Sequence, residues 1–352
     1  MEPSRAAMTR GPRRSESIPQ LGVTLGHTAE PVRQSQELAR YAETSGLDII
    51  GFGDSETVFR ELYTQLTACA LVTERIAIGS MVTNCRTRVP AVTASAISTI
   101  QELSGGRAFL GIGLGQSATA GAHLARGTPA ELADYVSAIR AAHGSTDPGG
   151  GGLGASRLSW DAPTVPLMIH ASRPKSIEVA IRLGDGVILR YGDVGTDALR
   201  ERLALIRRSV GQTRDNHRSF RIWLFSPGAV TDTAADATSQ VEATVSARAV
   251  TVKDDECPPD LRPALAQYRE RYSYRHHAST REPVNAEALR ALGLFEYMAG
   301  RLALVGTRQE LTARLRELCG DGVDAVIFSG ATADRSRFID ELGRIRVASE
   351  TY

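Results

Sequence analysis

Residues 76–116 have the highest density of side chains and glycines that could hold a ligand. The segment reads IAIGSMVTNCRTRVPAVTASAISTIQELSGGRAFLGIGLGQ and predicts a strand, a loop, a helix, a turn and a second strand. The later strand of this segment, the fourth predicted strand of the chain, ends in Gly111, Gly113 and Gly115. A flat ligand could press against bare backbone there. A glycine triplet alone is a weak signal, and a role in packing and a tight turn is an equal alternative.

Four polar side chains lie at or just past the ends of predicted strands. Asn84 and Arg88 follow the third strand, where an amide can bond a ring carbonyl and a guanidinium can grip a carboxylate or phosphate. Arg88 could also be a surface arginine, because the chain is rich in this residue. Gln116 lies beyond the fourth strand, and Arg190 ends the sixth, where many barrels hold phosphates.

Segment 171–175 combines a predicted helix start with positive charge. It follows a strand and opens a helix, so its free backbone N–H groups favour an anion. Arg173 and Lys175 add charge, although an exposed lysine at a helix start is common. The candidate anion-binding residues are Ala171, Ser172, Arg173 and Lys175.

An aspartate and three histidines are the candidate acid–base groups. Asp54 ends the second strand, where it could face a ligand or simply cap the next helix. His27 follows the first strand, and His276 and His277 lie in the sequence YSYRHH. Histidine titrates near neutral pH and could serve as a donor or base, but exposed histidine pairs are often only solvated.

The composition excludes several classes of function. The 352 residues include 41 Lys+Arg and 40 Asp+Glu, a net charge of +1 that provides no drive toward nucleic acid or an anionic membrane. Four widely separated cysteines argue against a zinc site or a disulfide framework, so we expect no metal. No apolar run approaches the roughly 20 residues needed to cross a bilayer.

The amino-terminal segment has no pattern of a targeting signal. It carries four arginines in its first twenty residues but no apolar stretch, so it is not a signal peptide. We expect a disordered basic leader over residues 1–19 and a cytoplasmic protein.

From residue 20 to 352, apolar runs alternate with helical segments, as in repeated βα units. Eight predicted strands, several of them continuously apolar, favour a single α/β domain, a (β/α)8 TIM barrel; an open, doubly wound sheet is the alternative. Residues 231–300 are far longer than one crossover helix requires, so they predict a helical insertion between strands 7 and 8 that covers the site. Residues 147–156 are glycine-rich and predict a loop.

Taken together, these motifs resemble the luciferase-like family of flavin- and deazaflavin-dependent oxidoreductases. The loop pattern T-N-x-x-T-R-x-P occurs at 83–90, L-S-G-G-R at 103–107 and G-I-G-x-G at 111–115. Two further segments, 165–189 and 305–328, resemble the family's fifth-strand region and its last helix and strand. The resemblance spans nearly the whole chain and is strongest to the methylenetetrahydromethanopterin reductase branch.

The resemblance implies where a cofactor would bind. It places a non-prolyl cis peptide at Met81–Val82, beneath the central ring, and a cofactor phosphate at segment 171–175. It implies further contacts from Gln116 to the pyrimidine edge and a substrate-side role for His276 or His277. The full set of cofactor candidates is Met81, Val82, Thr83, Arg88, Gly113, Gly115, Gln116, Ala171, Ser172, Arg173, Lys175 and Arg190.

This sequence also departs from the family pattern. Relatives often carry Trp and Asp-His around the second-strand end, where Gly51 and Asp54-Ser55 stand here. The missing histidine puts an acid–base role taken from relatives in doubt and leaves Asp54 and Asn84 as candidates.

The resemblance implies two-electron redox chemistry on a small organic substrate, in a homodimer. The cofactor is an F420-type deazaflavin or FMN, with the deazaflavin slightly favoured. The deazaflavin would imply a hydride-transfer reaction, whereas FMN would imply an FMNH2- and O2-dependent monooxygenase. A flavin-binding protein without turnover and a phosphosugar-type barrel enzyme are the remaining alternatives.

Overall fold

The computed structural model describes residues 17–26, 31–144, 157–192, 196–213, 220–277, 279, 282–329 and 334–350 of the chain. Residues 1–16 of the expected leader and the expected loop 147–156 lie outside the described residues. Ile18, within the expected leader 1–19, is buried and packs into the main core.

A closed barrel of parallel strands forms the centre of the fold. The strands in the described ranges are β1 Gln20–Leu25, β2 Ile49–Phe52, β3 Ala77–Ser80, β4 Thr83–Asn84, β5 Ala108–Gly113, β6 Leu167–His170, β7 Gly186–Arg190, β8 Arg221–Val230, β9 Leu304–Gly306 and β10 Ala325–Ser329. Strand β4 continues β3 after a break, and β10 pairs with both β8 and β1, which closes eight strand positions. The predicted (β/α)8 TIM barrel is confirmed.

Helices surround the barrel. They are α1 Val32–Thr44, α2 Leu62–Ala70, α3 Pro90–Leu103, α4 Ser117–Gly121, α5 Pro129–Ala142, α6 Pro174–Leu183, α7 Thr196–Thr213, α8 Ala234–Ser239, α9 Glu242–Ala249, α10 Arg262–Arg271, α11 Val284–Ala291, α12 Phe295–Leu302, α13 Arg308–Gly320 and α14 Arg335–Glu350. Local chemistry fixes two of the starts: Thr128 and Thr307 each form a capping box with the glutamate three residues on.

The core has two layers. Inside the barrel, Phe109 and Trp223 meet edge to face with ring centroids 5.0 Å apart, among aliphatic side chains such as Ile49 and Ile327. A larger layer lies between the outer faces of the strands and the helices. Strands such as β10 are buried along their whole length, which explains their continuous apolar sequence.

The insertion forms its own small core above the carboxyl ends of the strands. Helices α8 to α12 bury Val245, Leu265, Phe295 and Met298 against one another. Helices α11 and α12 join at Gly293, whose φ is +69°. Short β9, which the sequence did not predict, pairs with the far end of β8 and ties the insertion to the barrel.

We find no helix in the described ranges with the length and apolar character that a membrane crossing requires.

Candidate active site

One cavity lies at the carboxyl ends of the strands, beneath the insertion. Its volume is about 280 Å³. Strand ends and their loops supply one wall and the insertion supplies the other. Its lining residues include Asp54, Ser55, Met81, Val82, Thr83, Asn84, Gly113, Gly115, Gln116, Ser117, Arg126, His170, Ile188, Arg190, Phe225, Arg248, Thr251, Tyr274 and His277.

The third strand breaks under this cavity. Pairing with β5 is interrupted between Gly79 and Thr83, and the Met81–Val82 peptide bond is cis, as the resemblance predicts. The Ser80 hydroxyl donates to the Gly111 carbonyl at 2.7 Å across the break. Met81 and Val82 both line the cavity.

The glycines of β5 have separate roles. A Cβ on Gly111 would lie 2.2 Å from the Ser80 carbonyl oxygen, so this glycine permits close strand packing. Gly113 and Gly115 line the cavity, and Gly115 has a φ of +73°. Gly111 thus has the packing role, whereas contact of Gly113 and Gly115 with a flat ligand stays a prediction.

Asp54 and Arg88 form a buried ion pair beside the cavity. The Arg88 guanidinium donates to both Asp54 oxygens, at 2.6 and 3.2 Å, and the Thr83 hydroxyl donates to the same carboxylate at 2.6 Å. Burial raises the pKa of Asp54, and the Arg88 and Thr83 bonds only partly offset that effect. Arg88 also reaches Glu61 at 3.1 Å, and it is absent from the cavity wall. Its guanidinium is therefore directed to protein carboxylates in this structure.

Asn84 and Gln116 both line the cavity. The Asn84 oxygen accepts the N–H groups of Arg86 and Thr87 at 2.9 Å, and its amide nitrogen donates to Thr87 Oγ1 at 3.1 Å. Asn84 thus shapes the loop after β4 as well as the cavity. Gln116 precedes α4, with no cap bond from its side chain. Contact of either residue with a cofactor stays a prediction.

A pair of hydroxyls that sequence reasoning missed faces the cavity. Ser55 Oγ and Ser117 Oγ lie 2.6 Å apart, on the loops after β2 and β5. The sequence marks Ser55 only through its resemblance to a family position that holds a histidine, and nothing in the sequence marks Ser117 as its partner. The two hydroxyls form a donor–acceptor unit at the cavity.

The histidine candidates differ in their position relative to the cavity. His277 lines the cavity, bonds through Nδ1 to the Tyr272 hydroxyl and stacks on Tyr274. His276 is absent from the wall and bonds Glu282 at 2.7 Å. His27 lies outside the described residues, and His170, at the end of β6, lines the cavity.

Burial lowers the pKa of His277, so the imidazole facing the cavity is neutral at pH 7.

Replacing His277 with asparagine is expected to reduce the loss of folding stability that the wild-type protein shows as the pH is lowered. The wild-type unfolded chain takes up this proton below about pH 6.5, before the folded chain does, so wild-type stability falls as pH decreases there. Asparagine binds no such proton.

Thermal unfolding between pH 8 and 5 measures this difference. Burial also lowers the pKa of His143, so this residue likewise makes stability fall as the pH decreases. Its effect is the same in both proteins and cancels in the comparison. Equal acid slopes for wild type and His277→Asn would contradict the neutral, buried state of His277.

Segment 171–175 lies directly after His170. Ala171 is buried and its N–H donates to the Ile188 carbonyl at 3.0 Å. The Ser172 hydroxyl is buried with no hydrogen-bond partner among the described residues. Arg173 and Lys175 are exposed, and Arg173 lies 3.9 Å from Glu256. The segment borders the cavity without contributing to its wall.

Arginines in the wall were largely missed. Arg190 was predicted, but Arg126 follows α4 and Arg248 lies on α9 of the insertion. Arg248 donates to the carbonyls of Leu302, at 2.9 Å, and Tyr191. No sequence motif marks either residue, because only the folded insertion and the α4 loop bring them to the cavity.

This arrangement fits a planar ring with a negatively charged tail. Val82 and Ile188 offer apolar surface, while Gly113 and Gly115 leave part of the wall without side chains. The Ser172 hydroxyl, which has no partner among the described residues, and the arginines match an anionic group nearby. The features together are those of a barrel enzyme that holds a flavin-type redox cofactor.

Comparison with known proteins agrees with this class. The chain belongs to the luciferase-like monooxygenase family, whose sequence profile matches residues 17–325. It is accordingly an oxidoreductase or monooxygenase of the class that uses F420 or FMN.

Relatives in the reductase branch are similar over different lengths. The 5,10-methylenetetrahydromethanopterin reductase of Archaeoglobus fulgidus is 28% identical over 326 residues, which are 87% of this chain and 92% of that protein. The Methanolobus tindarius enzyme of the same name is 33% identical over 168 residues, 46% of this chain and only 51% of that protein.

A solved structure has the same fold. The coenzyme F420-dependent tetrahydromethanopterin reductase of Methanopyrus kandleri superposes with a TM-score of 0.71 at 18% identity, covering 94% of this chain and 99% of that one. At this identity the likeness establishes the barrel fold alone.

Proposed function

We propose that the protein uses an F420-type deazaflavin to carry out two-electron oxidoreduction of a small organic molecule. The observation that carries the proposal is the cavity itself, in which an apolar wall containing glycines lies next to a wall containing arginines. The Archaeoglobus fulgidus reductase, which is similar to this chain over 92% of its own length, supports the same cofactor class. When bound, the deazaflavin would supply the hydride donor or acceptor.

The chain's own residues would hold the ring and its phosphate. Val82 and Met81 would support one ring face, and Gly113 and Gly115 would let the ring approach the backbone. Ser172 Oγ and the free N–H groups at the start of α6 would bond the phosphate. Asp54 would hold Arg88 and Thr83 in place, and through Thr83 it would position the strand break.

Substrate would lie between the ring and the insertion. There the wall contains Phe225, Thr251, Tyr274 and the neutral His277. His277 would donate or accept a proton, with its orientation set by the Tyr272 hydroxyl. The Ser55–Ser117 hydroxyl pair, on the opposite loops, is the second candidate for binding a substrate oxygen.

A larger side chain in the glycine wall is expected to weaken cofactor binding. A Cβ on Gly113 would lie 3.3 Å from His170 Cβ and 3.4 Å from Val82 Cγ2, so the branches of a valine would extend into the space for the ring. We expect Gly113→Val to weaken F420 binding by at least roughly tenfold, about 1.4 kcal/mol. The matched control is Gly320→Val, at a helix end where a Cβ meets nothing within 4 Å.

Fluorescence titrations with F420 and with FMN test the proposal. Wild type should bind F420 more tightly than FMN, and Gly320→Val should behave like wild type. Circular dichroism checks that Gly113→Val is folded. Anaerobic reoxidation of reduced F420 by a substrate would support hydride transfer, whereas oxygen uptake coupled to product formation with FMN would replace it by monooxygenation. Binding of neither cofactor would overturn the proposal.

We also propose that the protein is a cytoplasmic homodimer. The four cysteines are free and buried, as in proteins of a reducing compartment. Val92 and Leu103 are exposed apolar residues of α3, at 53% and 47%, and would lie in the dimer interface. A solution mass of twice the 37.7 kDa chain would support this assembly.

A further inference from the structure

A second group of side chains that could do chemistry lies in the insertion, at and just after the sequence YSYRHH. The Ser273 hydroxyl oxygen lies 3.0 Å from His276 Nδ1, and His276 Nε2 lies 2.7 Å from Glu282 Oε2. These three residues are separate from the residues that line the cavity. A hydroxyl, an imidazole and a carboxylate thus form one continuous hydrogen-bonded chain.

The direction of these hydrogen bonds makes Ser273 the group that can give up a proton. A carboxylate only accepts, so the hydrogen of the neutral His276 ring lies on Nε2 and is directed to Glu282. Nδ1 then has a lone pair, which accepts the hydrogen of the Ser273 hydroxyl. A hydroxyl bonded to a base that a carboxylate orients is the arrangement that activates a serine nucleophile.

Neighbouring groups hold the serine and the histidine in place. Ser273 precedes the short helical turn Tyr274–His276, where a serine commonly accepts a backbone N–H, but its side chain makes no such cap bond. The buried Asn285 side chain accepts the Ser273 N–H at 2.9 Å. It also donates to the carbonyls of Ser273 and His276, at 2.9 and 3.1 Å. The hydroxyl is therefore left for the imidazole, and the backbone that carries both groups is fixed.

We propose that Ser273, His276 and Glu282 form a second catalytic site, which transfers the acyl group of a small ester to water. Ser273 Oγ would bond to the ester carbonyl carbon while its proton moves to His276 Nδ1. The ester C–O bond then breaks, and the leaving oxygen takes that proton. A water molecule that gives a proton to the same nitrogen then cleaves the acyl-serine, which releases the carboxylic acid and restores the hydroxyl. This reaction needs no redox cofactor, so it is independent of the proposed function.

Exposure and neighbouring rings indicate which esters fit the site. The His276 side chain is 21% exposed and that of Glu282 is 69% exposed, so solutes can reach the site from solvent. The Tyr274 ring, which follows Ser273 in the chain, is 55% exposed and stacks on His277. An aromatic acyl or leaving group could pack on this ring. We therefore expect small aryl esters as substrates, with Glu282 as a positioning residue that orients the imidazole.

A serine-reactive fluorophosphonate tests the nucleophile in the full chain without any cofactor. We expect the reagent to modify Ser273, as located by tandem mass spectrometry, and to react at least roughly tenfold more slowly with His276→Gln. Ser239→Ala is the matched control and should be modified like wild type, because Ser239 is an exposed serine of the insertion whose hydroxyl donates to the Asp236 carbonyl. A wild-type protein in which Ser273 stays unmodified would overturn the proposal.

Hydrolysis of 4-nitrophenyl acetate measures turnover. We expect Ser273→Ala and His276→Gln each to lower kcat/KM at least roughly 100-fold. Glu282→Gln should lower kcat by roughly tenfold with KM and the unfolding temperature unchanged, which a purely structural role would not produce. Equal hydrolysis by wild type and Ser273→Ala would overturn the site. Hydrolysis that survives in Ser273→Ala but not in His276→Gln would make the imidazole the nucleophile and equally overturn the assignment.

F420 titration of Ser273→Ala keeps the two sites distinguishable. We expect the affinity of wild type, because Ser273 is separate from the cavity wall. Weakened F420 binding by this variant would contradict the separation of the two sites. Failure of the wild-type protein to bind F420, with Ser273 still modified, would instead overturn the proposed function and leave the ester site supported.

Discussion

Replacing Arg88 with methionine is expected to destabilise the protein by about 3–5 kcal/mol, because the substitution leaves a buried carboxylate without its cation. The Asp54 side chain is 2% exposed and that of Arg88 is 14% exposed, so solvent replaces little of the lost interaction. Urea unfolding at pH 7 measures the change in the free energy of unfolding.

The pH dependence has a definite sign. Burial already raises the pKa of Asp54, and removing Arg88 raises it further. The folded variant then binds the Asp54 proton more tightly than the unfolded chain does. Its stability therefore falls as pH rises above the unfolded value of about 3.9, until the folded carboxyl has ionised. We expect the deficit relative to wild type to be larger at pH 8 than at pH 5.

Two variants control this experiment. Arg86→Met, in the same loop, removes a half-exposed pair with Glu131 and should cost no more than about 1 kcal/mol. Asp54→Asn combined with Arg88→Met removes the unpaired charge and should recover part of the loss. An Arg88→Met protein as stable as Arg86→Met would show that the pair does not support the site.

The barrel could be predicted from the sequence because its signals are local. Continuous apolar runs such as β10 and the helical periods between them are properties of short segments. The insertion was recognisable by length alone. Its contribution to the cavity was not, because Arg248 and Tyr274 reach the site only through packing of helices distant in the chain.

Side-chain roles were harder to predict for the same reason. The sequence offers Arg88 as a fork for a ligand, but its partner is Asp54, 34 residues away, and only the folded structure brings them together. Gly111 could not be separated from Gly113 by composition, since the difference is the Ser80 carbonyl across the strand pair. Motifs indicate where a site lies, and neighbours across strands decide what each residue does there.

The motif at residues 103–107 shows that a family signature can be remote from the chemistry. Arg107 precedes β5, at the end of the barrel opposite the cavity. It is buried, and its guanidinium donates to the carbonyls of Ala70, Thr73 and Ile76 at 2.8–3.1 Å, while its Nε donates to that of Ser104 at 2.8 Å. These bonds join the end of α2, the loop before β3 and the turn after α3.

Arg107→Met is therefore expected to lower the free energy of unfolding by at least about 3 kcal/mol, because several buried carbonyls lose their donors at once. Arg75→Met is the matched control: its side chain is exposed at the same end of the barrel, so we expect a change of about 0.5 kcal/mol or less. Urea unfolding of the three proteins gives the comparison.

Cofactor titration then separates a structural role from a functional one. At a temperature where Arg107→Met remains folded, its affinity for F420 should equal that of wild type, because the cavity lies at the carboxyl end of β5 and Arg107 at the amino end. The opposite result, an unchanged free energy of unfolding with weakened F420 binding, would contradict a purely structural role. It would mean that Arg107 affects the cofactor site from the other end of the barrel.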